Sequence, residues 1–109
     1  MDVRQYLDYL REQQGAMVDE LGRYVTIESG SREKDGVDRV GREVSKALTE
    51  LGFSIERIES ETCGDHLVAR RPGAGRGRLL ALIHLDTTCP SGSLADNPFR
   101  VEDGRAFGP

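Results

Sequence analysis

No apolar run in this 109-residue chain approaches the twenty or so residues that a helix needs to cross a bilayer. The opening Met1-Asp2-Val3-Arg4-Gln5 is too polar for a secretory signal. Cysteine is scarce. Two residues, Cys63 and Cys89, do not make a disulfide framework, and a reduced, cytoplasmic setting is the expectation. An excess of basic charge is also missing: 15 Lys and Arg stand against 19 Asp and Glu, a net charge of −4. That balance argues against a general electrostatic grip on nucleic acid or on an anionic membrane. What remains is the composition of one modest globular domain, 37% hydrophobic and 31% charged, with thirteen glycines to supply turns.

Apolar spacing organises the first half. Val3, Tyr6, Leu7 and Leu10 form the stripe of a short amphipathic helix over residues 2–14. Gly15 weakens it, and a second helical pattern follows with Met17, Leu21, Tyr24 and Val25. The polar connector Glu28–Gly36 carries acids and glycines but lacks the alternating Asp/Asn ladder of a calcium loop. It leads into a third helical stripe, Val37, Val40, Val44, Leu48 and Leu51, with Asp35 or Gly36 as N-cap and Gly52 as C′ residue. Phe53–Ile58 then alternates as a strand, and helix, glycine, strand is the grammar of an α/β unit. A turn at Cys63-Gly64-Asp65 precedes a strand at His66–Arg70, and a flexible loop runs from Arg71 to Arg78. Residues 98–107 predict a hairpin turning on Asp103-Gly104. There is no internal repeat.

The stretch Leu79-Leu80-Ala81-Leu82-Ile83-His84-Leu85-Asp86-Thr87-Thr88 stands out. Five uninterrupted apolar residues between turn-rich segments predict a strand buried on both faces, as in a parallel sheet. Burying them would contribute roughly 7–15 kcal/mol gross. His84 and Asp86 arrive at its carboxyl end, where open α/β sheets gather their chemistry. Residues two apart in extended chain point to one side, so imidazole and carboxylate can converge: a metal ligand with the group that fixes its tautomer, or a hydrogen-bonded strand end.

Three other constellations carry chemistry. Cys63, His66, His84 and Cys89 have the inventory of a structural Cys₂His₂ zinc site. Arg70, Arg71, Arg76 and Arg78 around glycines could grip RNA, but no aromatic residue interleaves to stack a base. No Lys-Ser/Thr follows those glycines, so they are not a P-loop. Ser29 and Ser31 lack the Gly-x-Ser-x-Gly elbow of a serine nucleophile.

In order along the chain, Val25–Ser31, Leu51-Gly52-Phe53, Gly64–Val68, Leu80–Thr87, Pro90-x-Gly92, Asn97–Val101 and Asp103–Pro109 together resemble the M20 metallopeptidases, in particular their glutamate carboxypeptidase branch. The resemblance spans residues from about 17 to 109. It implies an α/β fold, with residues 1–109 as the N-terminal portion of one three-layer catalytic domain whose sheet is incomplete here. It implies His84 as a ligand to one of two zinc ions and Asp86 as the catalytic residue that orients it. It also implies hydrolysis of a peptide or N-acyl amino acid substrate by a metal-activated water, and neither a nucleic-acid nor a membrane partner. Ile83 and Thr88 depart from the family's usual glycine and valine. The chain stops before the family's Gly-x-x-Asp-x-Lys-Gly-Gly segment and its homodimerisation domain. The isolated chain is therefore expected to be inactive.

Overall fold

Asp2 starts the first helix by a reciprocal cap. Its carboxylate accepts the Gln5 N–H at 2.9 Å, while the Gln5 side chain accepts the Asp2 N–H at 2.8 Å. From there α1 runs unbroken through Val3–Val25. The expected interruption at Gly15 does not occur, because one glycine costs only about 1 kcal/mol in a helix interior and 23 residues share that cost. The computed structural model describes residues 2–109.

The second helix, α2, covers Lys34–Glu50. It begins earlier than its apolar stripe, with Glu33 at the N-cap rather than Asp35 or Gly36. Its end is a Schellman motif: the Gly52 N–H donates to the Thr49 carbonyl at 2.9 Å and the Phe53 N–H to that of Leu48 at 3.0 Å. Gly52 takes φ +85°, which a side chain would resist. The chain then enters β1, Ser54–Ile58, which pairs antiparallel with β2, His66–Arg70, from Ser54 opposite Arg70 to Ile58 opposite His66.

The core lies between α2 and this hairpin. Val37 and Val40 are its buried aliphatic residues, and Gly41 lets Leu67 and Leu85 approach the helix. A charged clasp closes one end. Lys34 Nζ reaches Asp38 at 2.9 Å and Asp65 at 2.7 Å, while the Asp65 N–H donates to the Asp38 carboxylate at 2.8 Å. Asp65 also accepts the Ser60 N–H at 3.0 Å, which fixes the turn between the strands.

A four-residue helix, α3 (Ser93–Asp96), follows. Then β3, Arg100–Glu102, and β4, Arg105–Phe107, form the expected hairpin. Asp103 and Gly104 both have positive φ, 49° and 72°, as a type I′ turn requires. Phe99, at the foot of this hairpin, lies against Gly22 of α1.

The chain is thus a mixture of helices with short antiparallel sheets. The predicted central strand is the main departure. Leu79, Leu80, Leu82 and Ile83 are 80–97% exposed, and among the described residues no strand pairs with them. The parallel pairing present is a single bridge between Gly30 and Thr87. An extended segment becomes a strand only through its neighbours' hydrogen bonds, and apolar side chains gain nothing until something covers them. The Cα radius of gyration, 16.1 Å, exceeds the roughly 13 Å of a close-packed domain of this length. Among the described residues no helix is long and apolar enough to cross a membrane.

Candidate metal-ligand pair

Two remote segments build the site. The connector after α1 lies against residues 87–94 and is tied to them at three points. The Thr87 N–H donates to the Ser29 carbonyl at 2.9 Å, and the Ser31 N–H donates back to the Thr87 carbonyl at 3.0 Å. The Glu28 carboxylate accepts the N–H groups of Gly92 at 2.8 Å and Leu94 at 3.3 Å, which satisfies the start of α3. Glu33 accepts the Ser91 hydroxyl at 2.6 Å. Ser29 is buried beneath this junction. A side chain on Gly30 would collide with the Cys89 carbonyl, 2.8 Å from where its Cβ would stand.

The junction anchors the chain immediately after Asp86. His84 Nδ1 lies 3.2 Å from Asp86 Oδ1, so the spacing read from the sequence does bring the two groups together. Asp86 is held below the usual carboxylate range, first by the Ser31 hydroxyl and then by His84. That hydroxyl also lies 3.2 Å from the Thr87 carbonyl; with one proton it serves one acceptor at a time. A neutral imidazole that donates Nδ1–H to Asp86 keeps the Nε2 lone pair free. The His84 side chain is 93% exposed, so Nε2 is open to a ligand. Ile83, bulky where the resembled family has glycine, is itself 83% exposed.

The other sequence candidates separate. Among the described residues no group of three or more His, Cys, Asp or Glu side chains converges on a point. The alternative Cys₂His₂ set is therefore not assembled among them. Cys63 instead contacts the Ser60 hydroxyl at 3.0 Å in the β1–β2 turn, and both cysteines are free thiols. In the arginine loop, Arg70 pairs with Glu56 across the hairpin at 2.7 Å, while residues 71–78 are irregular and exposed. Ser29 joins the junction through its carbonyl, and Ser31 through its N–H and hydroxyl. Glu28 and Glu33 were not legible as site-building residues: their partners lie 58–66 positions away, and no local pattern signals such a contact.

This geometry, an exposed imidazole backed by a carboxylate, is found on a chain whose sequence is similar to that of a peptidase. The relative is Carboxypeptidase G2 of Pseudomonas sp. (strain RS-16), 36% identical over 100 residues, or 90% of this chain. The chain spans 24% of that relative's length. No family model matches the chain.

Proposed function

We propose that residues 1–109 are the N-terminal portion of one three-layer catalytic domain of an M20-type zinc metallopeptidase, and that the whole enzyme hydrolyses a peptide or N-acyl amino acid. The observation that carries this reading is the His84–Asp86 pair, 3.2 Å apart with the imidazole exposed. The similarity to a carboxypeptidase supports it. In this reading His84 contributes Nε2 as one zinc ligand. Asp86 holds the ring in the tautomer that makes Nε2 available and raises its basicity. A reducing cytoplasmic setting accords with the two free thiols.

The described residues do not fit zinc as a complete donor set. Structural and catalytic zinc sites take three or four protein ligands, and no group of three is present. In this reading the 109-residue chain has little or no activity by itself, and the two-metal centre takes donors from elsewhere. The test is an assay of the purified chain on acyl-glutamate and dipeptide substrates with zinc or cobalt added. No turnover above buffer is expected, and metal-dependent turnover by the chain would overturn the inactivity. A full-length protein containing this sequence should lose most of its activity on His84→Ala; unchanged activity would remove His84 from the site.

A further inference from the structure

A second place on the molecule concentrates charge against the overall balance. Where α1 ends beside α2, a cleft of about 320 Å³ is lined by Arg23, Thr26, Ile27, Arg39, Arg42 and Glu43. Arg39, Arg42 and Glu43 share one face of α2, at spacings of three and four residues, and Arg23 faces them from the last turn of α1. Among the described residues none of these three guanidinium groups enters an ion pair, although the chain carries net charge −4 and six of its twelve other Lys and Arg residues do pair. Among the described lining residues Glu43 is the one carboxylate; Lys46 engages it at 2.9 Å, and the charges of Arg23 and Arg42 also act on it. Three like charges round one concavity, without a matching set of counter-charges, make a site whose potential an anion would relieve.

We propose that this cleft binds a phosphate group. Guanidinium groups present paired N–H donors that match phosphate oxygens two at a time, and the three arginines line the cleft from two helices. The Thr26 hydroxyl is already committed to the Arg23 carbonyl at 3.0 Å, so the arginines are the principal donors. Ile27 supplies an apolar wall, and the volume lies at the small end of the range for compact ligands. The site is independent of His84 and Asp86, which lie on another segment.

Inorganic phosphate is the probe, titrated into the 109-residue chain at fixed ionic strength and followed by amide and arginine Nε–H resonances, with chloride as the comparison. Saturable shifts at Arg23, Thr26, Ile27, Arg39 and Arg42 are expected, with a dissociation constant of roughly 1–10 mM. Arg39→Ala and Arg42→Ala should each weaken binding about fivefold or more, and Glu43→Gln should tighten it about twofold to threefold, since a like charge leaves the rim. These residues are exposed or half-buried, so the helical circular dichroism should stay unchanged and separate lost binding from lost fold. Shifts that never saturate would overturn the proposal. So would shifts equally large at Arg76 and Arg78, or an affinity unaltered in the Arg39/Arg42 double variant.

Discussion

Residues 34–70 and residues 79–86 both carry large aliphatic side chains, yet one region is packed and the other lies open. In the first, α2 lays Val37 and Val40 onto a hairpin that follows it within a few residues, and a Lys34–Asp38–Asp65 clasp fastens the two. In the second, four large side chains stand 80–97% exposed on an unpaired segment held at its far end by Thr87. The open region is the more apolar of the two by composition; what separates them is whether partners lie nearby in the chain. A helix satisfies its own backbone and needs cover on one stripe, whereas a central strand needs neighbours on both edges and both faces. The open region is also where the candidate ligand sits, so His84 owes its exposure to the same lack of cover.

Glycine substitution separates the two regions most sharply. A Cβ on Gly36 would run into the Glu28 carbonyl, a backbone atom that cannot swing aside. Gly36→Ala should cost about 3 kcal/mol or more, since the connector carrying Glu28 must move. It should also loosen the Glu28 bonds to Gly92 and Leu94. The urea midpoint measures the first effect and amide exchange at Gly92 the second. A midpoint unchanged from the parent chain would mean that the connector is not packed against α2.

Aliphatic truncation is the next sharpest probe. Val40 is 6% exposed, and Val40→Ala should destabilise by about 2 kcal/mol in denaturant titration. Leu80 is 80% exposed, and Leu80→Ala should fall within about 0.5 kcal/mol of the parent. Equal losses at the two positions would show that residues 79–83 are covered in solution, and the contrast between the regions would collapse.

Sequence reading located the packed region well and the open one badly, for the same physical reason. The Schellman end at Leu48–Phe53, the strands on either side of Cys63-Gly64-Asp65 and the Asp103-Gly104 turn are decided by neighbours within a few residues, which periodicity and glycine placement reveal. The His84–Asp86 contact was legible because extended chain repeats every two residues. The exposure of Leu79–Ile83 was not legible, because hydrophobicity states what a segment would gain from cover and nothing about whether cover is present. The three ties between residues 28–33 and 87–94 were invisible for want of any local signal.

The clasp gives the packed region a pH dependence of its own. Asp38 is held below the ordinary carboxylate range by the Asp65 N–H and then by Lys34, and Asp65 by Lys34 and then by the Ser60 N–H. Their stabilisation is complete above an unfolded aspartate's pKa of about 3.9, and it is lost as pH falls through the depressed native values. Lys34 is raised by Asp65 and then by Asp38, so its share is complete below about 10.4 and is lost as pH rises through the raised value. The urea midpoint should therefore be level between these limits and decline outside them. Asp65→Asn should lower the plateau and flatten both limbs, since Lys34 loses its shorter partner. An acid limb that Asp65→Asn leaves as steep as before would place the responsible carboxylates elsewhere.

The smallest effect has the opposite sign. Gly15 lies in the middle of α1 with nothing within 4 Å of where a Cβ would stand. The side chains around it are equally open: Leu10 and Met17 are each 48% exposed. Alanine there loses less backbone freedom on folding than glycine and meets no neighbour, so Gly15→Ala should stabilise by about 0.5–1 kcal/mol. The increase should appear in the thermal midpoint and in helical ellipticity at elevated temperature, and amide exchange should slow along α1 rather than in the β1–β2 hairpin. The substitution forbidden at Gly36 is favourable at Gly15 because a side chain has room only where the chain is unpacked. A loss of stability at Gly15 would reveal a surface already pressed against α1, and the stripe from Leu7 to Leu21 would then belong with the packed region.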